Sequence, residues 1–244
     1  MTALQIVEVL ERSSQGITRP FLCRCADGAL YYVKGASAGK RSLICEWMAG
    51  HLARRLGINI PAFSIVEADP ALLELHPEGR DLGAGPAFAS RLIPNLNEIV
   101  FASVSSVPRG VRRDVLVFDW WVQNADRSLT DRGGNPNLFW EAATNDLVTL
   151  DHNQAFDPEF KAERFRDTHA FKSDMPDVFN DLAEMASYSS RLTACLEEWE
   201  SAWSAMPEAW KHHDDELTIP TDFDAAACRQ LLHRCSDANF WRLT

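Results

Sequence analysis

Two segments, NADRSLTDRGGNPNLFW at 124–140 and LVTLDHNQAF at 147–156, limit what this chain can become more than any other part of it. They set Asp126, Asn137 and Asp151 in that order over a short span. Asp and Asn are common turn residues, and each alone reads as part of a loop. Together and in this order they are what metal-assisted phosphoryl transfer requires. One carboxylate orients and deprotonates an attacking hydroxyl, and an Asn and a second Asp then hold magnesium on ATP.

The bulk properties narrow the partners. A net charge of −11 repels phosphate backbones and anionic lipid surfaces, so direct nucleic-acid or membrane binding is not expected. Arg109, Arg112 and Arg113 form the densest basic group and read as a solvated helix start. The six Cys contain no C-x-x-C pair and no matched His spacing for zinc. Cys23 and Cys25 lie two apart in a strand pattern and so share one packing face. His212 and His213 adjoin acidic residues without a third ligand at a useful spacing. With no basic-apolar leader and no apolar run of membrane length, a cytoplasmic location is expected.

Along the chain, strands come first. An initial strand covers about residues 4–10, and FLCRC-ADG-ALYYVKG reads as a hairpin turning at Asp27-Gly28. In its second strand Leu30, Tyr32 and Lys34 share one face, and Tyr31 and Val33 the other. KRSLICEWMAGHLARRLGINIP has apolar residues at helical spacing, with Ser42 expected to cap its start, Gly57 to end it and Glu46 beside the apolar stripe. PAFSIVEA and GPAFASRLI are β-rich, separated by an irregular insertion at 69–86. From Arg109 the pattern is helical: RRDVLVFDWWVQN reads as a buried helix, NLFWEA and LVTLD as strands around a turn at Asn145-Asp146. Segments 189–206 and 224–235 read as amphipathic helices, and Trp199, Trp203 and Trp210 as core anchors.

These residues resemble the HipA-like protein kinase family, and more loosely the phosphatidylinositol 3-/4-kinases. NADR, NPNLFW and LVTLDHNQAF resemble the catalytic loop and metal-binding segment of those kinases, and YYVKG followed by EWMAGHLARRLGINIP their nucleotide-binding Lys strand and the helix after it. The likeness runs from about Ser13 to Phe156. It implies an α+β, two-lobed kinase-like fold, with a β-rich, nucleotide-binding N-lobe at 1–95 and a helical C-lobe at 96–244 that carries the catalytic and metal-binding loops. It implies that Lys34 pairs with ATP phosphates, that Glu46 holds Lys34, that Asp126 is the catalytic carboxylate, and that Asn137 and Asp151 bind magnesium. The loop RSSQGITRP takes the place of a phosphate-covering loop, with Ser13, Ser14 and Gly16 facing the nucleotide. Backbone groups near Ser90 to Leu92 would meet adenine.

Two departures stand out. Eleven residues separate Asp126 from Asn137, against about five in better-known members, so SLTDRGG is an insertion. It leaves Asn135 an alternative to Asn137 and Asp131 a competing carboxylate. Arg127 replaces the His that follows the catalytic Asp in many HipA-like members, a local match to the phosphoinositide-kinase variant. Asp119, among apolar residues, needs partners such as Arg127 and reads as structural support; His152 reads as a satisfied or solvent-facing His. The expected activity is ATP- and magnesium-dependent phosphotransfer to protein Ser/Thr, with autophosphorylation and a role in bacterial growth control. A protein substrate and an antitoxin-like partner come with the resemblance. A small-molecule or lipid kinase, or a non-catalytic nucleotide-binding or protein-interaction module, are the alternatives.

Overall fold

The computed structural model describes residues 3–14 and 18–243 of a mixed α/β chain. The chain forms two compact units. The first holds Met1–Trp47, Pro61–Pro94 and Ser204–Phe223, and the second Met48–Ile60, Asn95–Trp203 and Asp224–Thr244.

The first unit is built on strands β1 (Leu4–Arg12), β2 (Phe21–Cys25), β3 (Leu30–Lys34), β4 (Phe63–Ala68) and β5 (Ala87–Arg91). They close into a barrel in the order β1-β2-β3-β5-β4, with β1 and β4 the parallel pair. The β2–β3 hairpin turns where its sequence says it should. Gly28 takes φ +79°, a conformation that costs glycine little, and the Asp27 carboxylate accepts the Ala29 N–H at 3.0 Å. Strand alternation then sends Phe21, Cys23, Cys25, Tyr31 and Val33 into the barrel core with Ile6, Val66 and Ala89. Burial there pushes the Cys23 thiol up to about 12 and the Cys25 thiol up to about 11, so both are neutral packing groups. On the other face Tyr32 is exposed, whereas Lys34 at the strand end is buried.

Helix α1 (Lys40–Leu56) follows a single 3-10 turn at Ala36–Ala38. The helix starts two residues ahead of Ser42, so Ser42 lies inside it with a buried hydroxyl and caps nothing, contrary to expectation. Gly57 does end it: at φ +95° its N–H reaches Arg54 O at 3.1 Å, and the Ile58 N–H reaches back to Ala53 O at 2.9 Å. The expected irregular insertion at 69–86 instead contains α2 (Pro70–Leu75) and α3 (Gly79–Leu82). Asp69 caps α2 by accepting the Ala71 N–H at 2.8 Å, with Pro70 in the first turn.

In the second unit, β6 (Leu96–Glu98) is followed by α4 (Arg109–Trp121), then β7 (Ser128–Thr130), β8 (Gly133–Asn135), β9 (Leu138–Glu141) and β10 (Asp146–Thr149). Strands pair in the order β10-β9-β6, and β7 with β8 makes a separate hairpin. That hairpin holds the inserted SLTDRGG, so the insertion is a paired ribbon. Helix α4 is buried from Val115 to Trp121, and the indole N–H groups of Trp120 and Trp121 donate to Phe240 O (2.9 Å) and Leu232 O (2.8 Å). Helices α5 (Ala162–Thr168), α6 (Met175–Phe179), α7 (Leu182–Cys195), α8 (Glu198–Ala205) and α9 (Ala225–His233) complete the unit. The helix expected at 189–206 is thus two, with α7 ending at Cys195 and α8 beginning at Glu198.

A single division at 95/96 omits two exchanges. Residues 204–223 belong with the barrel because Trp210 is buried, packs edge-on to Trp47 at 6.3 Å and donates to Pro86 O at 2.8 Å. Residues 48–60 belong with the second unit because Asn59 accepts the Thr149 N–H at 2.9 Å and donates to Leu147 O at 3.2 Å. Among the described residues no helix is long and apolar enough to cross a membrane.

Candidate active site

In the first unit, Lys34 and Glu46 form a buried ion pair through Nζ and Oε1, the lysine from the end of β3 and the glutamate from the second turn of α1. Antiparallel pairing of Lys34 with Phe88 on β5 fixes the base of the side chain. A lysine so placed is a stationary cation, since its carboxylate partner is itself anchored on a helix. The ends of the loop between β1 and β2 are also tied down. Ser13 N–H donates to Pro20 O at 2.8 Å, and Arg12 donates through Nε to Arg19 O at 3.1 Å. The Arg12 guanidinium pairs with Glu78 and Asp81 and stacks on Phe21 at 4.8 Å. Ser14 is exposed, and Gly16 lies outside the described residues. At the strand expected to meet adenine, Ser90 is laddered on both sides, to Tyr32 and to Phe63. The Leu92 N–H is given to Leu30 O at 2.8 Å, which removes it as an adenine donor.

In the second unit the site grows out of the buried end of α4. Asp119 is fully buried, and such a carboxylate needs several donors. It has them in Asn124 Nδ2 at 2.9 Å, Arg127 Nε at 2.7 Å and His169 Nε2 at 3.0 Å. Burial pushes the Asp119 carboxyl up, but the Arg127 charge and His169 outweigh this and hold it at about 2. His169 Nδ1 accepts the Phe171 N–H at 3.1 Å, so the ring proton sits on Nε2 facing Asp119. Burial lowers the His169 pKa, in keeping with a neutral ring.

Anchored in this way, Arg127 turns its Nη1 to three backbone carbonyls, Pro136 (3.1 Å), Asn137 (3.0 Å) and Leu150 (3.1 Å). Asn137 O also takes the Leu150 N–H at 2.9 Å, continuing the β9–β10 register in which Leu138 pairs with Thr149. Asn137 and the residue before Asp151 are thereby pinned to one guanidinium. Both Asn137 (φ +49°) and Asp151 (φ +55°) adopt the left-handed backbone, which Asn and Asp tolerate better than other side chains. Asp151 therefore stands two residues past β10, not at its last position.

Asp126 completes the cluster. Its Oδ2 receives Asn135 Nδ2 at 2.9 Å and Asn137 Nδ2 at 3.3 Å. Burial raises its pKa first and the charge of Asp151 second, against the lowering by Arg127 and the two amides. The hairpin explains how the seven inserted residues SLTDRGG are absorbed: Ser128 pairs with Asn135 at its base, and Asp131 sits exposed at its tip, far along the hairpin from Asp126. The backbone closes tightly there, since a Cβ on Gly134 would lie 2.2 Å from Ser128 O. His152 is buried with its ring edge-on to Phe118 at 5.6 Å. Sequence reading missed His169 altogether, because nothing local marks a histidine that meets its partner fifty positions back.

The chain matches the HipA-like kinase family over residues 6–244 and belongs to that family. Comparison with curated proteins finds no match. Among solved structures it is similar to the Helicobacter pylori proinflammatory kinase CtkA, with 13% identity and a TM-score of 0.42, over 97% of this chain and 93% of that one.

Proposed function

We propose that the chain is an ATP- and magnesium-dependent phosphotransferase acting on protein Ser/Thr hydroxyls, its own included, with the barrel unit as N-lobe and the second unit as C-lobe. The observation that carries this reading is the Arg127 clamp. One buried guanidinium holds the backbones of Asn137 and Leu150, while the Asn137 amide holds Asp126, so the base and both oxygen donors belong to one fixed assembly.

Among the described residues no group of three or more His, Cys, Asp or Glu could hold a metal. The donors present are one carboxylate and one amide oxygen, hard ligands that fit magnesium, an ion that takes its remaining ligands from water and phosphates. Bound by Asn137 and Asp151, it would neutralise charge on the transferring phosphoryl group. Lys34, kept in place by Glu46, pairs with ATP phosphates. Asp126 orients the acceptor hydroxyl and takes its proton as the acceptor oxygen bonds to the γ-phosphorus. The bond to the β–γ bridging oxygen breaks, and that oxygen leaves with the electron pair on ADP. Protein hydroxyls are favoured because the chain belongs to the HipA-like kinase family.

The test is incubation of the purified chain with γ-labelled ATP and magnesium, with and without cell lysate. Label on protein is expected. Label confined to a small molecule moves the acceptor class, and no transfer at all refutes the activity.

A further inference from the structure

The inserted hairpin places a second carboxamide on the candidate base, and neither the family match nor the order Asp126, Asn137, Asp151 assigns that contact a task. A carboxylate accepts only, so each asparagine must turn its Nδ2 to Asp126. Both land on the same oxygen, Oδ2, from Asn135 at 2.9 Å and from Asn137 at 3.3 Å. The two asparagines are otherwise unlike. Asn137 is half-buried with its carbonyl held by Arg127 and by the Leu150 N–H, whereas Asn135 is exposed at the end of β8. What fixes Asn135 is the hairpin itself: its pairing with Ser128, its N–H on Ser128 Oγ at 3.4 Å, and the close approach at Gly134.

Resting on the phosphotransferase reading above, we infer that Asn135 is a positioning residue for Asp126. It clamps Oδ2 together with Asn137 and so presents Oδ1 to the acceptor hydroxyl. The insertion is then no spacer. It supplies the second of two donors that fix the plane of the carboxylate, and the shorter one. Asn137 keeps its amide oxygen for the metal, and Asn135 takes no part in metal binding. Two donors on one oxygen hold the carboxylate against turning about its Cβ–Cγ bond, so the hydroxyl meets the other oxygen in one orientation.

The test separates kcat from the binding of ATP. Asn135→Ala should lower kcat about 10- to 100-fold, the range expected when one hydrogen bond to a charged group is lost. KM for ATP and the magnesium-dependent melting shift with ATP should stay within about twofold of wild type, and the melting temperature of this exposed-site variant without ligand should stay within about 2 °C of it. Asn135→Asp keeps the shape but sets a second acceptor against Asp126, and should be at least as slow as Asn135→Ala. Asn135→Gln, which keeps the carboxamide, should recover part of the loss. Wild-type kcat in Asn135→Asp would overturn the inference while leaving the phosphotransferase reading intact. A raised KM for ATP with a lost magnesium-dependent shift would also overturn it, because Asn135 would then be a metal ligand. A wild-type chain that transfers no phosphate would bring down the reading and the inference together.

Discussion

Replacing Arg127 with Met should be among the most damaging single changes in this chain, and the reason can be worked out group by group. The side chain has essentially no exposure, and its Nε sits 2.7 Å from an Asp119 oxygen that is equally buried. Methionine nearly fills the space but leaves the Asp119 charge with one neutral amide and one neutral imidazole. Breaking a buried pair in this way costs about 3–5 kcal/mol. At about 2–4 °C per kcal/mol for a chain of this length, the melting temperature should fall by roughly 6 to 20 °C. Asp119→Asn alone should also destabilise, since it strands the guanidinium. The double variant removes both charges and keeps only the loss at the Pro136, Asn137 and Leu150 carbonyls, so it should be more stable than the sum of the single changes by about 2 kcal/mol or more. Denaturant unfolding of the four proteins closes the cycle. Additive single changes would show that the two charges do not depend on one another, and the account of Asp119 as the anchor of Arg127 would fail.

Three further outcomes follow from the same geometry. ATP at a hundredfold excess over Kd should stabilise the fold by about 2.7 kcal/mol, a melting shift of roughly 5 to 10 °C that requires magnesium; in Lys34→Ala a tenfold weaker Kd would halve it to about 1.4 kcal/mol, and an unchanged shift would remove Lys34 from the phosphate site. Asp126→Asn should abolish transfer and leave the magnesium-ATP shift largely intact, whereas Asp151→Asn should lose both; calorimetric titration showing equal ATP binding in the two variants would refute the division of roles. Stability should decline in two acid steps: His169, lowered by burial, contributes stability above its ordinary 6.5 that fades as pH falls below it, and Asp119, held at about 2, contributes about 2 kcal/mol above its ordinary 3.8 that is lost between about pH 4 and pH 2. A stability curve flat from pH 7 to pH 5 would contradict a neutral buried His169.

What could be read from the sequence was whatever its near neighbours determine. Asp27-Gly28 between β-rich runs is a turn by its own backbone chemistry, and the apolar run of α4 is long enough to show its period. The order Asp126, Asn137, Asp151 was legible because the three sit close along the chain. Helices α2 and α3 were not, since six and four residues are too few to display helical periodicity. The β7–β8 hairpin was hidden for the same reason: three-residue strands with two glycines look like loop. The partners of Asp119 split along this line. Arg127, eight residues on, was foreseeable, but His169, fifty residues on, is brought back by tertiary pairing, its own bridge to Ser128 and the Ala170 N–H on Arg127 O at 3.0 Å.

Trp210 carries a consequence for how the chain is made. The barrel unit is unfinished until this indole reaches Trp47 and Pro86, yet the ribosome adds it more than a hundred residues after the last barrel strand. During synthesis that apolar seat should therefore stay open while β6 to α7 emerge. A fragment ending after β5 should remain in this waiting state, sticky and prone to self-association, and adding the 204–223 segment as a separate peptide should quench it. Both units are completed from the C-terminal side: the barrel needs Trp210, and the second unit then needs Leu232 and Phe240 to accept the indole N–H groups of α4.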